Sequence, residues 1–566
     1  LHFDSRWKLC CQDVRFQALL RSSSRLRADL SRRIEMLYNP ADCVDGTREG
    51  QTMQEMKSSC VPTLGLLVLL ATSATCVAED QHPEAPIEWP TTGWSVSSPE
   101  AQGMSSGDLA DGLQFALANN INVHSVTVVR NGVIILDAYF YPFVPETRHD
   151  VASVTKSVVS LLTGLATTQG YLRGPDQPLV AALHPHEAGN ADDATAKIRL
   201  SDLLTMRSGF DCGFKNGEPE LRDMRSTEDW VAYALHLPMV AEPGTRFGYC
   251  SPNFHLLSAA ISSSTQTSAF EFARQHLFKP LGITDVYWPA DARGITHGWG
   301  DLQLRPHDMA KLGLLMLGDG RWADQEVLPR TWIDSSVRNH FRANDSNDYG
   351  LGWWMPHRIP GLFEATGRGG QRISIRPDKN IVFVSTGGGF EPFDIGQFVL
   401  KAVRSDAPLP ADPANEMRLA DALRRVAAAP SRRAAARPTV PRRLSGRVYN
   451  LEKNPLGVRS FAVEFADPAA SSLHLELENG DTLVQPLGMD GQYRLMTVNG
   501  GAMSAGRAEW FEDGRLRIDF NRLSLINRFL IDVVFRDQDL ELVVSEPTEF
   551  GTVTVRGVAQ KQATAR

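Results

Sequence analysis

Residues 151–166 (VASVTKSVVSLLTGLA) decide the fold of this chain of 566 residues. Apolar side chains recur there at intervals of three and four, which predicts a helix with a buried side that begins near Ser153. The apolar positions of this helix are Val154, Val158, Leu161, Leu162 and Leu165. The helix follows a β-rich stretch, so a sheet and a buried helix are expected to meet at Ser153.

Ser153 and Lys156 stand three residues apart in the pattern Ser-x-x-Lys. Residues three apart share a helix face, so the hydroxyl and the amine can meet over one site. A serine hydroxyl becomes a good nucleophile when a neighbouring base takes its proton. A lysine serves as that base once desolvation or positive charge, such as the helix N-terminus supplies, lowers its pKa. The same spacing occurs at Ser5 and Lys8 without an apolar period, so the helical context selects Ser153.

Strand and helix patterns alternate on either side of this helix. β-rich runs at 125–129 and 133–141 flank Asn131-Gly132, a strong hairpin indicator. Helical patterns follow at 199–206, 228–236, 252–264, 268–277 and 306–317, and strand patterns return at 372–376 and 380–386. Strands at both ends with helices between them predict an α+β fold, in which helices flank an antiparallel sheet and a helical subdomain is inserted.

Tyr249 marks a second candidate site, within PGTRFGYCSPNF at 243–254. A turn at Pro243-Gly244 precedes it and an apolar helix begins just after Ser251. The tyrosine is therefore expected on a loop held between two rigid elements, where catalytic groups often occur. The alternative is that Tyr249 packs in the core beside Phe247.

A third candidate is the glycine-rich segment 367–371, which leads into a strand. Glycines at a strand edge allow the backbone to approach a ligand closely. A backbone N–H there could bind an oxyanion, and Arg368 could hold a carboxylate. The alternative is a turn between two strands.

In this order, on a helix start, a loop and a sheet edge, the three segments resemble the serine β-lactamase and penicillin-binding protein superfamily. The match is closest to its class C-like branch, which includes esterases and 6-aminohexanoate-dimer hydrolases, and it covers about residues 95–400. Similar stretches between the motifs are IRLSDLLTMRSGF, EPGTRFGYCS, HGWGDLQLRPHDMAKLGLLML, VLPRTWIDSSV, YGLGWW and GGQRISIRPDKNIVFVSTGG.

The resemblance assigns a role to each candidate residue. Ser153 would be the acylated nucleophile and Lys156 its proton partner, while Tyr249 would assist proton transfer in acylation and deacylation. The backbone N–H groups of Ser153 and Gln371 would form the oxyanion hole. The residues implied in substrate binding are Ser251, Arg368, Gly369 and Gly370.

Two departures from true β-lactamases bear on the substrate. The second motif is Tyr-Cys-Ser rather than Tyr-x-Asn, and the third is Arg-Gly-Gly rather than Lys-Thr-Gly. The missing groups orient a β-lactam, so the resemblance implies instead a serine hydrolase of carboxylesterase or amidase type. It would cleave a small ester or amide through an acyl-enzyme on Ser153, with no metal or organic cofactor. The alternatives are a D-alanyl-D-alanine peptidase or β-lactamase, and a non-catalytic binding protein on the same fold.

The first 78 residues carry the features of a targeting segment. An uncharged run at 58–78, with the apolar core VPTLGLLVLLA, predicts a secretory signal peptide at 56–78 that is cleaved after Ala78. The core is short against the ~20 residues of a membrane span, and a lipid on Cys76 is the alternative anchor. Residues 1–55 are expected to be a non-folded upstream segment, and the protein to be exported to the periplasm or secreted.

Cysteine usage agrees with export. Five of the seven cysteines lie within residues 1–76, which leaves Cys212 and Cys250 in the remainder. An even number in an oxidising compartment favours a disulfide, which would hold the Tyr249 loop. The alternative is two separate buried thiols.

The sequence indicates two domains joined by a linker. Residues 79–404 form the β-lactamase-like domain, 405–443 an Ala/Pro/Arg-rich linker with one helix at 414–428, and 444–560 a small all-β domain of alternating strands. A composition of 42% hydrophobic and 22% charged residues excludes a wholly disordered or polytopic membrane protein. A net charge of -8 gives no basic surface for nucleic acid, so no nucleic-acid partner is expected. The resemblance implies a small ester or amide as the partner, and no stable membrane span is expected after signal cleavage.

Two competing motifs are interpreted structurally. Gly-Met-Ser-Ser-Gly at 103–107 fits the G-x-S-x-G pattern of α/β-hydrolases, yet no strand pattern precedes it, so its serines are expected to cap a helix. His-Pro-His-Glu at 184–187 lacks the i, i+4 histidines of a zinc-protease helix and indicates a surface turn.

Overall fold

The computed structural model of the protein describes residues 87–189, 191–213, 217–431, 442–465 and 471–560. The predicted signal peptide, the upstream segment 1–55 and Cys76 lie outside these residues. Within the described ranges, no helix is both long enough and apolar enough to cross a lipid bilayer.

An antiparallel sheet of eight strands lies at the centre of the first domain, in the order β2-β1-β12-β11-β10-β9-β8-β7. Its strands are β1 (Val123–Arg130), β2 (Val133–Tyr139), β7 (Phe341–Asn344), β8 (Asn347–Tyr349), β9 (Trp354–Pro356), β10 (Phe363–Gly367), β11 (Gln371–Arg376) and β12 (Ile381–Gly387). Two small ladders accompany it: β3 (His149–Asp150) with β4 (Gln303–Leu304), and β5 (Arg321–Trp322) with β6 (Gln325–Glu326). Because β1 pairs with β12, the early and late strands meet as the sequence predicted.

Helices lie between and around these strands. In chain order they are α1 (Ser106–Ala118), α2 (Val154–Thr168), α3 (Pro185–Ala188), α4 (Leu200–Leu204), α5 (Pro219–Arg225), α6 (Trp230–Leu235), α7 (Pro252–Thr265), α8 (Ala269–Ala273), α9 (Pro306–Leu317), α10 (Arg330–Ser336), α11 (Phe393–Ala402) and α12 (Pro413–Ala427). The α+β architecture with an inserted helical region is therefore confirmed.

Helix α2 is buried along almost its whole length because it packs between the sheet and the helical region. Its apolar residues join one large core with the apolar side chains of α7, α9 and the inner sheet face. Gly164 allows a close approach, since a Cβ there would lie 2.6 Å from two atoms of the Trp332 ring. The helix is thereby fixed from both sides, and Ser153 at its start is fixed with it.

The opposite face of the sheet is covered by α1, α11 and α12, whose apolar residues form a second core with β1 and β2. Ser105 caps α1 by accepting a hydrogen bond from the backbone of Asp108, as expected from the helix-cap interpretation. The helix predicted within the Ala/Pro/Arg-rich segment is α12. It docks on α1 by burying three apolar side chains, Leu419, Ala422 and Val426.

The second domain is a ten-stranded antiparallel sheet in the order β16-β15-β14-β13-β22-β21-β20-β19-β18-β17. Its strands are β13 (Tyr449–Leu451), β14 (Val458–Glu464), β15 (Ser471–Leu477), β16 (Thr482–Leu487), β17 (Arg494–Thr497), β18 (Met503–Trp510), β19 (Leu516–Asn521), β20 (Arg528–Arg536), β21 (Asp539–Glu546) and β22 (Gly551–Ala559). The sheet curls around one apolar core, so that just after β16 the N–H of Gly488 donates to the Gly506 carbonyl of β18, near the other end of the strand order, at 3.1 Å. The predicted all-β domain is therefore present.

The two domains share a small apolar cluster. Phe143 of the first domain packs with Ala505 and Leu523 of the second. Beside it, the backbone N–H of Tyr493 donates to the hydroxyl of Tyr141 at 3.0 Å. Leu523 lies in the loop between β19 and β20, and the Ser524 carbonyl of the same loop accepts the backbone N–H of Asp150, three residues before Ser153, at 3.0 Å.

Candidate active site

The backbone turn before α2 exposes Ser153. Ala152 has φ 48°, a left-handed conformation that costs free energy in a residue with a Cβ. The Asp150 carboxylate holds this turn by accepting the N–H of Ala152 at 2.8 Å. As a result Ser153 is only half-buried, while the helix behind it is buried.

Lys156 lies one helical turn below Ser153 and is 1% exposed. Its Nζ lies 2.9 Å from Ser153 Oγ and donates to the Trp299 carbonyl at the same distance. Burial lowers the pKa of Lys156 to about 8, against the opposing effect of the negative charges on Glu218 and Asp301. A lysine in this state can accept the serine proton near neutral pH.

Tyr249 completes a three-residue group. Its ring lies 5.1 Å from Lys156 Nζ, and its side chain is hydrogen-bonded to Ser153. Burial, with the negative charge of Glu218, raises the pKa of Tyr249 above its ordinary value. The phenol therefore keeps its proton at neutral pH and can donate it.

The structure contains the expected Cys212–Cys250 disulfide. It ties the loop that carries Tyr249 to the segment after α4. Both cysteines are buried in the large core, so the tyrosine is anchored through its neighbour.

Glu218, which no sequence pattern identified, lies inside the chain segment closed by this disulfide. Its carboxylate accepts the backbone N–H of Ser251 at 2.9 Å, at the start of α7. Ser251 is buried, with 1% exposure. The charge of Glu218 thus reaches both Lys156 and Tyr249, and it favours the protonated forms of both.

A second acidic group, Asp150 with Asp301, lies where β3 pairs with β4. Burial raises the pKa of Asp150 to about 7, and the charge of Asp301 adds to this effect. For Asp301 burial also raises the pKa, but the hydrogen bond from His297 at 2.8 Å and the positive charges of Arg225 and Arg368 together outweigh it, so the pKa of Asp301 is lowered. The pair therefore places its negative charge on Asp301, near Lys156. No local sequence pattern marks these acids, because pairing of distant strands brings them together.

The glycine-rich third segment abuts the turn that carries Ser153. A Cβ on Gly367 would lie 2.4 Å from the Val151 carbonyl oxygen, so only glycine permits this contact. Gly369 and Gly370 have φ values of 86° and 99°, in the region that favours glycine. The chain then enters β11 at Gln371, beside the turn that carries Ser153.

The Gln371 side chain is fully buried and points into the sheet, away from solvent. Its amide donates to the carbonyls of Arg368 and Gly387, at 3.2 and 2.6 Å. These bonds fix the backbone at the start of β11, the position predicted for the second oxyanion donor. Arg368 itself contacts the second domain: it donates to Thr548 at 2.8 Å and lies 3.8 Å from the carboxylate of Glu549.

A family model described as Beta-lactamase matches residues 112–394, half of the chain, and spans Ser153, Lys156, Tyr249 and Gln371. The chain belongs to the beta-lactamase family. It is accordingly a serine hydrolase of the superfamily that contains β-lactamases and penicillin-binding proteins.

Proteins similar to this chain include hydrolases. The chain is 22% identical over 285 residues to the 6-aminohexanoate-dimer hydrolase of Paenarthrobacter ureafaciens, covering 47% of this chain and 72% of that protein. It is 27% identical over 201 residues to the lovastatin esterase of Penicillium rubens, covering 31% of this chain and 49% of that protein. Among solved structures, the octameric penicillin-binding protein homologue from Pyrococcus abyssi is 16% identical with a TM-score of 0.44, covering 80% of this chain and 100% of that chain.

Proposed function

We propose that this protein cleaves a small ester or amide through an acyl-enzyme on Ser153. The observation that carries the proposal is the buried Lys156 amine, 2.9 Å from the Ser153 hydroxyl. Neutral Lys156 takes the hydroxyl proton while Ser153 Oγ attacks the carbonyl carbon, and a tetrahedral oxyanion forms. The backbone N–H groups of Ser153 and Gln371 hold that oxyanion.

Collapse of this intermediate requires a proton on the leaving group. Tyr249 keeps its phenolic proton and is hydrogen-bonded to Ser153, so it can pass a proton to the departing alcohol or amine and recover it from the lysine ammonium. Water then attacks the acyl-serine through the same groups. The acid product leaves and Ser153 regains its proton.

Two contacts favour an esterase or amidase over a D-alanyl-D-alanine peptidase or β-lactamase. Ser251 replaces the amide-bearing residue of the second motif, and it is buried beside Glu218. Arg368, the group suited to a substrate carboxylate, already donates to Thr548. A non-catalytic binding protein does not require a desolvated lysine amine beside the Ser153 hydroxyl, so this alternative is disfavoured.

The test compares wild type, Ser153→Ala and Ser98→Ala, in which an exposed serine is changed. We expect Ser153→Ala to lower p-nitrophenyl butyrate turnover by about a thousandfold or more, with Ser98→Ala as wild type. A fluorophosphonate probe should label Ser153, located by peptide mass spectrometry. Undiminished turnover in Ser153→Ala, or labelling at another residue, would contradict the proposal.

A substrate panel separates the candidate activities. We expect turnover of short neutral esters or amides and little turnover of a chromogenic β-lactam or a D-alanyl-D-alanine peptide. The reverse order would favour the β-lactamase or peptidase alternative.

We also propose that the protein is exported after cleavage behind Ala78. An uncharged apolar run precedes this position, and the Cys212–Cys250 disulfide fits an oxidising compartment. N-terminal sequencing of the secreted or periplasmic protein should begin at Glu79. A start upstream of residue 58 would contradict cleavage.

A further inference from the structure

The loop between β19 and β20 of the second domain reaches the nucleophile turn. Its Ser524 carbonyl accepts the backbone N–H of Asp150 at 3.0 Å, three residues before Ser153. Leu523, Ser524 and Ile526 are all buried against the first domain. The loop is therefore inserted at the edge of the site rather than held out in solvent.

Ile526 lies on the third segment. A Cβ added to Gly369 would meet the Ile526 Cγ2 atom at 2.5 Å, so glycine is required for this contact. The isoleucine covers the turn that carries Arg368 and precedes Gln371. The second domain thus contacts both the segment just before Ser153 and the glycine-rich segment 367–371.

A second loop of the same domain binds the Arg368 side chain. Arg368 Nη1 donates to Thr548 Oγ1 at 2.8 Å, and its Nη2 lies 3.8 Å from a Glu549 carboxylate oxygen. Asn527 connects the two loops, since its amide lies 3.5 Å from Thr548 Oγ1 and 3.4 Å from Glu549 Oε2.

The turn that presents Thr548 and Glu549 is itself well anchored. The fully buried carboxylate of Glu546 accepts the N–H groups of Thr548, Glu549 and Phe550 at 3.2, 2.8 and 3.1 Å. These contacts anchor the backbone of the turn, from which the Glu549 carboxylate lies 3.8 Å from the guanidinium that a substrate carboxylate would otherwise contact.

We infer that the C-terminal β-domain forms part of the substrate cleft and, by taking up Arg368, selects substrates uncharged on that side over carboxylate-bearing ones. The inference rests on the proposed hydrolase function. A substrate carboxylate would have to displace Thr548 from Arg368 and lie beside Glu549, which repels it. An uncharged substrate group does not have to displace Thr548 from Arg368 and is not repelled by Glu549.

The test measures kcat/KM for two p-nitrophenyl esters of similar length, the neutral butyrate and the anionic hemiglutarate. In Glu549→Gln, we expect the anionic-to-neutral ratio of kcat/KM to rise about three- to fivefold, the size typical of one exposed charge pair. Adding Thr548→Val should raise the ratio further, because Arg368 is then free. Adding Arg368→Ala to that double variant should return the ratio to the wild-type value or below it.

Glu541→Gln is the matched control, because Glu541 also pairs with arginines of the second domain at 3.7 and 3.8 Å. Its ratio should equal that of wild type. A ratio in the Glu549→Gln/Thr548→Val variant equal to that of wild type would overturn the inference.

A binding measurement separates this inference from the proposed function. In a Ser153→Ala background, glutarate should raise the melting temperature of the Glu549→Gln/Thr548→Val variant more than that of its parent, and Arg368→Ala should abolish the difference. Equal shifts in both proteins would overturn the inference even if ester cleavage by wild type is established. The expected shift without any ester cleavage by wild type would instead overturn only the hydrolase proposal.

Discussion

Relative to wild type, a Lys156→Met variant should have a higher free energy of unfolding at neutral pH than at alkaline pH. Burial lowers the pKa of Lys156 from 10.5 to about 8. Below pH 8 the lysine is protonated in both the folded and unfolded chain, and its burial costs about 3 kcal/mol of folding free energy. Methionine has similar length and carries no charge, so it removes this cost.

The sign of the pH dependence follows from proton binding. Between pH 8 and 10.5 the unfolded chain holds more protons than the folded chain, so wild-type stability rises with pH. From pH 7 to 10 wild type should therefore gain on the order of 2 to 3 kcal/mol relative to Lys156→Met. The lost hydrogen bond to the Trp299 carbonyl adds an offset that does not vary with pH.

The assay is equilibrium urea unfolding followed by tryptophan fluorescence, at about pH 7, 8, 9 and 10. Ser153→Ala is the control, because it keeps the buried lysine and should follow the wild-type pH dependence. Parallel curves for wild type and Lys156→Met over this range would refute a lowered lysine pKa. Lys156→Met should also lose ester turnover at every pH.

Three further predictions concern the same site. Because neutral Lys156 is the proposed base, kcat/KM for a neutral ester should rise about tenfold per pH unit below about pH 8 and level off above it. A flat pH profile of kcat/KM from about pH 6 to 9 would exclude Lys156 as the base. Cys212→Ser should lower the free energy of unfolding by up to about 4 kcal/mol, because the disulfide spans 38 residues. It should also lower kcat, because Cys250 then no longer anchors the loop that carries Tyr249. A melting temperature and a kcat equal to those of wild type would contradict this prediction. Gly367→Ala should lower kcat about tenfold or more and leave the circular dichroism spectrum unchanged, because the new Cβ would lie 2.4 Å from the Val151 oxygen. An unchanged kcat would count against the close packing of β10 on the turn that carries Ser153.

The fold of the first domain could be predicted because its periodic patterns are local. The three- and four-residue spacing around Val158 and Leu162 is enough to place α2, and Asn131-Gly132 marks a hairpin whose residues have φ values of 54° and 86°. Ser153 and Lys156 share one helix, so their 2.9 Å contact follows from spacing alone.

The charges that tune this pair could not be predicted in the same way. Glu218 lies on no periodic element, and Asp301 reaches the site only because β3 pairs with β4. The contact of Arg368 with Thr548 depends on how two domains dock, which leaves no pattern in either segment. The sequence suggested a substrate carboxylate as the partner of Arg368, and the structure places a protein hydroxyl there.

The pairing of β1 with β12 has a consequence for how the protein reaches its native state. These strands are separated by the whole helical region, so closing the sheet carries the entropy cost of a long loop and is expected to be slow. The helices are stabilised by nearer contacts and should form earlier. Ser153 and Lys156, which are three residues apart in the chain, would then lie together before the strand that begins at Gln371 joins the sheet. The proposed hydrolase activity should therefore appear later in refolding than helical circular dichroism, which makes the proposed active site a reporter of the last folding step.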